Sequence, residues 1–420
     1  MKIWDLVFKI KKDYMKKFNV ISYEKVDNKT CIENWIEKLD NIEYKKIFSY
    51  LNIKQKDNFL LFKYKDYEKL FYLNVDLQYK DFWYLYDGIF RECRGLVLDI
   101  KNEKIVCLPY KKFFNIDEQE ETKEEVLVNK IKNAHCIEFA NKLDGSLIIS
   151  RYYNNNFFIC SSGSMEKEES YPLQYANNTI MNKSNYQKLL NDFKNWTVLF
   201  ECITANNQLV VIYSQEDYGL HLIGMRNVIT GELKPYSEIV TIAKNYNIPT
   251  TSKYNLSFEE ILESRDKYKH TEKEGYVMYL DGQLVKIKCN EYILLHKRGK
   301  DSISKNDILK AFYFNTIDDL LSENSLEMSI LIKETLDTIK EYCSLMESKT
   351  CKLFETMPKE RKEFFLSLKN QPKMFQKFLS AKYLNRSYSY LVELEAGEST
   401  SFIRYMELER RLKQLKENNF

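Results

Sequence analysis

The chain is poor in residues that bend, clip or ligate: its 420 residues include 11 glycines, 6 prolines and 4 histidines. Four isolated histidines leave little material for a histidine-based metal site. The 9 cysteines are scattered and never spaced C-x-x-C, which argues against a disulfide framework and a structural zinc site. Several, as in LFECI and VKIKC, sit within apolar runs and read as small core residues. No stretch approaches the roughly 18 unbroken apolar residues of a membrane span. The basic, amphipathic start MKIWDLVFKIKKDYMKK lacks the apolar block and cleavage site of a signal peptide, so an intracellular protein is expected. One-sided charge is missing too. The formal net charge is +3, so a nucleic-acid surface would be local rather than a uniform basic coat. There is no G-x-x-x-x-G-K-[ST] phosphate loop.

What is present suffices for two or three domains with real cores, since hydrophobic residues make up 44%. Residues 1–90 are aromatic and lysine-rich and read as short helices followed by strands. From about Arg91 the texture changes to short β-rich runs: RGLVLDI, CIEFANK, SLIISRYY, NFFIC, TVLFECI, QLVVIY, GLHLIGM, GYVMYL and QLVKIKC. Turn signals such as Asp144-Gly145, Thr230-Gly231 and Asp281-Gly282 separate them, and a helical stretch near Tyr171–Asn191 interrupts them. This predicts an α+β domain built on antiparallel sheets. After about Lys300, Met328, Leu331, Thr335, Ile339, Tyr342 and Met346 recur at helical spacing, and Met406–Lys416 repeats the pattern. The expected division is 1–300, with a motif-bearing core at 91–300, and an all-helical domain at 301–420. The Lys-, Asn-, Tyr- and Ile-rich composition suggests an AT-rich genome, such as that of a virus or phage.

Candidate chemistry begins at Asn141-Lys142-Leu143-Asp144-Gly145-Ser146. Its ordinary reading is a lysine closing a strand before an Asp-Gly turn. Its functional reading is a lysine nucleophile presented at that turn, since cationic neighbours or burial can free the amine. In Leu284-Val285-Lys286-Ile287-Lys288-Cys289, alternation puts Lys286 and Lys288 on one face. That face is either solvated or turned to a polyphosphate, which would relieve the repulsion. Glu201 lies in the apolar strand Val198–Ile203, where a carboxylate is costly unless paired or bound to a cation. Glu274 opens another strand beside Gly275, which allows a ligand close to the backbone. Two carboxylates and several lysines suit a magnesium–nucleotide site. Arg91-Glu92-Cys93-Arg94-Gly95 and Pro109–Asn115 are, taken singly, ordinary charged strand ends.

Taken in order, RECRG, KKFFN, KLDGS, FEC with its following Asn, EGYV and KIK resemble the phage-type RNA ligase 1 family of tRNA-repair ligases. That family belongs with the covalent nucleotidyltransferases. The resemblance covers roughly residues 90–300. It implies an antiparallel-sheet nucleotidyltransferase (ATP-grasp-like ligase) domain and a helical C-terminal region tied to tRNA specificity. Carried over by position, it makes Lys142 the residue that takes AMP from ATP. Asp144 and Gly145 would shape the turn and meet the sugar, Arg94 and Lys112 would contact phosphates, and Phe114 would lie against adenine. Glu201 and Glu274 would organise Mg2+, with Gly275 beside the nucleotide, and Lys286 and Lys288 would hold the α-phosphate. The implied partners are RNA with 5′-phosphate and 3′-hydroxyl ends, expected to be nicked tRNA, and a separate end-healing kinase-phosphatase; the protein is expected to be a monomer. One position departs: Ser162 stands in Ser161-Ser162-Gly163-Ser164 where the family usually carries lysine, leaving Lys167 to compensate or one phosphate contact weakened. A capping guanylyltransferase or DNA ligase shares K-x-D-G and K-x-K, but the helices that follow disfavour the barrel such enzymes append. An RNA-binding protein with a decayed ligase domain has only Ser162 in its favour.

Overall fold

The computed structural model describes residues 2–22, 28–65, 79–207, 211–269, 271–289, 304–313, 317, 326–384, 389–393 and 401–417. The chain forms two compact units, Met1–Ile293 and Leu294–Phe420. The first opens with helices α1 (Ile3–Phe18), α2 (Cys31–Leu39) and α3 (Ile42–Ser49). A capping box between Thr30 and Glu33 starts α2, satisfying amides that the first turn leaves orphaned. The hairpin β1 (Leu51–Lys56) and β2 (Phe59–Tyr64) then pairs with β3 (Arg94–Asp99) and β4 (Lys104–Cys107) in one antiparallel four-stranded sheet. The connection between β2 and β3 packs Phe82 flat on Phe90, centroids 4.8 Å apart, with Trp83 beside them.

Beyond β5 (Phe114–Asn115) and α4 (Glu124–Ile131), the motif-bearing strands form two more sheets. Strands β6 (Ile137–Lys142), β7 (Ser146–Tyr153) and β8 (Asn156–Ser161) are followed by α5 (Tyr171–Asn182) and α6 (Ser184–Asp192). The helical stretch read from the sequence is thus two helices, broken at Lys183, which adopts an extended backbone. Then come β9 (Trp196–Ile203), β10 (Gly219–Asn227), α7 (Tyr236–Asn245), β11 (Lys253–Tyr254), α8 (Phe258–Ser264), β12 (Gly275–Leu280) and β13 (Gln283–Lys288). One sheet runs β10-β9-β7-β8 and the other β11-β6-β12-β13-β5. The second is not wholly antiparallel, as β5 joins β13 in parallel. Between the sheets Ile149 and Leu199 pack with Ala140, Val277 and Leu284, while α5, α6 and α7 cover the far side of the first sheet. Asp281 and Gly282, both at positive φ (46° and 89°), make the two-residue turn that joins β12 to β13. The expected strand QLVVIY is not found in its described part. The Val211 amide goes to Asp144 and the Ile212 amide to the Thr271 carbonyl, so neither enters a ladder.

The second unit contains α9 (Lys305–Tyr313), α10 (Leu326–Thr356), α11 (Arg361–Leu368), α12 (Lys373–Tyr383), the pair β14 (Val392–Glu393) and β15 (Ser401–Phe402), and α13 (Tyr405–Glu417). The expected stripe of α10 is buried at Thr335, Ile339, Tyr342 and Met346, joined by Ile332 and Leu336. The expectation of an all-helical domain is corrected by β14–β15, whose backbones pair in a short antiparallel ladder, Val392 with Phe402 and Glu393 with Ser401.

Candidate active site

The register of three strands assembles the centre. Gly275, the first residue of β12, lies opposite Lys142 of β6 on one side and Lys288 of β13 on the other. Two residues on, Val277 lies between Ala140 and Lys286. Directly opposed residues project to one face, so Lys142, Lys286 and Lys288 share the face that looks between the sheets. Glu274, immediately before β12, bridges two of them: its Oε2 accepts from Lys142 Nζ at 2.6 Å, and Lys288 Nζ lies 3.4 Å from Oε1. Gly275 has φ 152°, and a Cβ there would collide with Ile287 O and stand 2.6 Å from the Lys288 Cα. Only glycine lets β12 start so close to its neighbours.

The turn Leu143-Asp144-Gly145 carries the chain from one sheet into the other. A Cβ on Gly145 would lie 2.5 Å from Cys202 O, so the turn rests directly on β9. Asp144, 3% exposed, is fixed on both sides: its amide donates to Tyr213 Oη (2.8 Å) and its Oδ2 accepts from the Val211 amide (2.9 Å). Glu201 follows the alternation of β9, on the inter-sheet side with Leu199 and opposite Leu147. Desolvation pushes its carboxyl up to about 8; Lys142 opposes the rise, the negative charges of Glu274 and Asp144 add to it, and Arg94 opposes it again. A divalent cation beside these carboxylates would relieve their crowding. Among the described residues no group of three or more His, Cys, Asp or Glu side chains is placed to hold a metal alone. Phosphate and water oxygens would have to complete such a site.

Arg94 opens β3, half-buried and opposite Lys63. Lys112 and Phe114 are not brought to the lysine face. Lys112 is 5% exposed, with its ammonium 5.1 Å from the Trp83 ring centroid and 5.9 Å from that of Phe114. Phe114, 1% exposed, is enclosed by Trp83 and by the Arg91 guanidinium 5.0 Å from its centroid. Alternation in β5 is the reason: Phe114 pairs with Val285, whose side chain points away from Lys286. The half-buried ring near the lysines is Phe113, with Lys286 Nζ 5.1 Å from its centroid.

Two features escaped the sequence reading. Lys273, next to Glu274, donates to Tyr254 Oη at 2.7 Å, its ammonium 3.9, 4.7 and 3.7 Å from the ring centroids of Tyr254, Tyr268 and Tyr276. Burial pulls its amine down to about 8. These tyrosines are separated in sequence, and the only local signal is the Lys-Glu-Gly run. Glu92, within the RECRG motif, makes a bidentate pair with Arg226 of β10 at 2.7 and 3.1 Å.

A family model for RNA ligase, of the T4 ligase 1 type, matches residues 92–314. A protein of Autographa californica nuclear polyhedrosis virus, named as a bifunctional polynucleotide kinase/RNA ligase, is 26% identical over 251 residues. The match covers 55% of this chain and 34% of the viral protein, so the chain spans about a third of that relative's length. Among solved structures, a Naegleria gruberi RNA ligase mutant with ATP and Mn is 19% identical, with a TM-score of 0.33, covering 42% of this chain and 55% of that one. An Aquifex aeolicus protein named as an ATP-dependent DNA ligase is 16% identical, with a TM-score of 0.42, covering 75% and 80%. Both are too distant for comparison residue by residue.

Proposed function

The chain belongs to the T4-type RNA ligase family and is an enzyme of that family, and on that premise we propose that it joins 5′-phosphate and 3′-hydroxyl RNA ends through an AMP adduct on Lys142. The observation that carries this reading is Gly275 set between Lys142 and Lys288, with the Glu274 carboxylate bridging both amines.

In the first step the Lys142 amine attacks the α-phosphorus of ATP. An N–P bond forms, the bond from that phosphorus to the bridging oxygen breaks, and pyrophosphate leaves with the electron pair. Attack needs a free lone pair on nitrogen, and Glu274, already accepting from Lys142, is the group in contact to take the proton. Lys286 and Lys288 sit on the same face to meet the charge growing on the α-phosphate. Phe113, rather than Phe114, offers a half-open ring to the base. A Mg2+ ion held by Glu201 and Glu274, directly or through water, would neutralise phosphate charge. In the second step an RNA 5′-phosphate oxygen attacks the adduct, and Lys142 leaves and regains its proton. In the third a 3′-hydroxyl attacks the adenylated 5′-phosphate and AMP departs.

The proposed domain roles are an ATP-grasp-like nucleotidyltransferase in the first 300 residues and RNA selection, expected for nicked tRNA, in the helical C-terminal region. Supporting the latter, Lys359, Arg361, Lys362, Lys369, Lys373 and Lys377 are exposed on or beside α11 and α12. The aromatics interleaved with them are mostly core: Phe364, Phe375, Phe378 and Tyr390 are buried, and Phe364 stacks on Tyr383 at 4.1 Å. Arg386 and Tyr388 lie outside the described residues. An end-healing kinase-phosphatase, an intracellular setting and a monomeric state complete the proposal; among the described residues no helix is long and apolar enough to cross a membrane.

The test is incubation with α-labelled ATP or GTP, then circularisation of a 5′-phosphorylated RNA or DNA strand. ATP labelling with RNA circles is the expected result. Labelling by GTP alone would favour a capping enzyme, DNA circles alone a DNA ligase, and no covalent label a binding protein.

A further inference from the structure

Lys63 lies outside every motif, yet its strand pairs with the one that opens on Arg94. A register shift in β2 falls between Phe62 and Lys63, and past it Lys63 stands directly opposite Arg94. An anion set between two opposed cations is held by both. Alternation places Lys63 on the side of Phe59 and Leu61, which packs toward β7 and β8. There the lysine stem runs along the turn after β8: its Cδ is 3.6 Å from where a Gly163 Cβ would stand. Gly95, next to Arg94, approaches the same turn, with the position of its own missing Cβ 3.0 Å from the Ser162 Cα. The turn is rigid, because Ser161 Oγ accepts from the amides of Gly163 (3.3 Å) and Ser164 (3.0 Å). Ser162 therefore sits against both strands that carry Lys63 and Arg94. Gly95 also stands directly against Ile149, a side chain of the core between the two sheets that frame Lys142, which brings this cationic pair to the side of the pocket. Lys167, the lysine the sequence offered in compensation, is 57% exposed and lies 3.8 Å from Glu168.

We infer that Lys63 is a phosphate-binding residue of the adenylation pocket, gripping with Arg94 the β- and γ-phosphates that leave as pyrophosphate. The inference rests on the proposed adenylation by ATP. The charge a lysine at position 162 would supply comes instead from β2, across the turn. Lys63 takes no part in the later steps, in which the triphosphate has gone.

The experiment compares wild type, Lys63→Ala, Lys63→Gln and the double variant Lys63→Ala/Ser162→Lys. Adduct formation is followed in a single turnover over a range of ATP concentrations, sealing is measured on pre-adenylated RNA, and melting temperature is recorded. Loss of one charge-assisted contact predicts ATP affinity about 10- to 100-fold weaker in both single variants. Sealing of pre-adenylated RNA and the melting temperature should hold, and the double variant should recover adduct formation. Undiminished adduct formation in Lys63→Ala, or an equal fall in both steps with a lowered melting temperature, would overturn the role of Lys63 alone. No adduct in the wild type would overturn the adenylation reading and this role together.

Discussion

Two buried constellations in the first unit are built from the same side-chain types and behave in opposite ways. In the first, Arg226 makes four hydrogen bonds: Nη1 to Glu92 and the Pro109 carbonyl, Nη2 to Glu92, and Nε to the Gly231 carbonyl. Burial alone would raise the Glu92 carboxyl, but the bonds and charge of Arg226 outweigh it and hold it below the usual range. The second, around Glu274, is left open. One carboxylate is shared by Lys142 at 2.6 Å and Lys288 at 3.4 Å. Nearby, Glu201 is pushed up to about 8, its desolvation compounded by Glu274 and Asp144. The closed pair locks β10 to the segment ahead of β3, and the bond to Pro109 ties it to the loop ahead of β5. The open cluster has room for charge from outside, which the proposed nucleotide and its metal would bring.

The largest expected effect comes from breaking the closed pair. Arg226→Met leaves Glu92 buried beside the half-exposed Lys111, 3.4 Å away, and should cost about 3–5 kcal/mol. Chemical denaturation checks this, and a loss below about 1 kcal/mol would show that the pair is no lock. The open cluster should respond in the other currency. Lys286→Ala should slow adduct formation about 10²- to 10³-fold with little change in melting temperature. Near-normal adenylation with altered stability would return Lys286 to a merely structural face.

Glu201 gives the comparison a pH axis. Its folded value of about 8 lies above the ordinary 4.5, so between these the folded state keeps a proton that the unfolded state has released. Glu201 therefore costs nothing below about pH 4.5, and stability drops as pH climbs through about 8. Glu201→Gln should match wild type near pH 4.5 and exceed it by on the order of 2 kcal/mol above pH 8, while losing ligase activity. Equal stability at both ends would mean that the carboxyl is not strained. The smallest effect belongs to charge in neither constellation: replacing exposed Lys362 or Lys373 by Ala should leave adduct formation intact. Each change should flatten the dependence of RNA affinity on log salt by about 0.7–0.9, and an unchanged slope would place RNA elsewhere.

How far the sequence revealed this site follows from strand geometry. Alternation gave Lys286 and Lys288 a common face, and the Asp281-Gly282 turn fixed the hairpin that aligns them with Gly275. The pattern also named Lys142, Glu201 and Glu274, but not what links them. Lys142 and Glu274 are 132 positions apart, and only the antiparallel register of β6 on β12 brings them into contact. The resemblance sets Phe114 against adenine by motif position, and nothing in KKFFN itself says which of its two rings faces the lysines. Pairing with Val285 turns Phe114 inward and leaves Phe113 outward. Lys63 has no local signal, and the tyrosine cage of Lys273 none beyond the Lys-Glu-Gly run, since each is made by pairing and packing between distant segments. The aromatics of α11 and α12 satisfy both a stacking surface and a helical core, and burial in the core decides between them.

The central claim is that Lys142, out of all the chain's lysines, carries AMP. Incubating the wild-type protein with ATP, digesting it and locating the added AMP by mass spectrometry tests that directly. The account predicts a single adduct on the peptide containing Lys142, and none in a folded Lys142→Ala variant. An adduct on another lysine, or one undiminished in that variant, would contradict it.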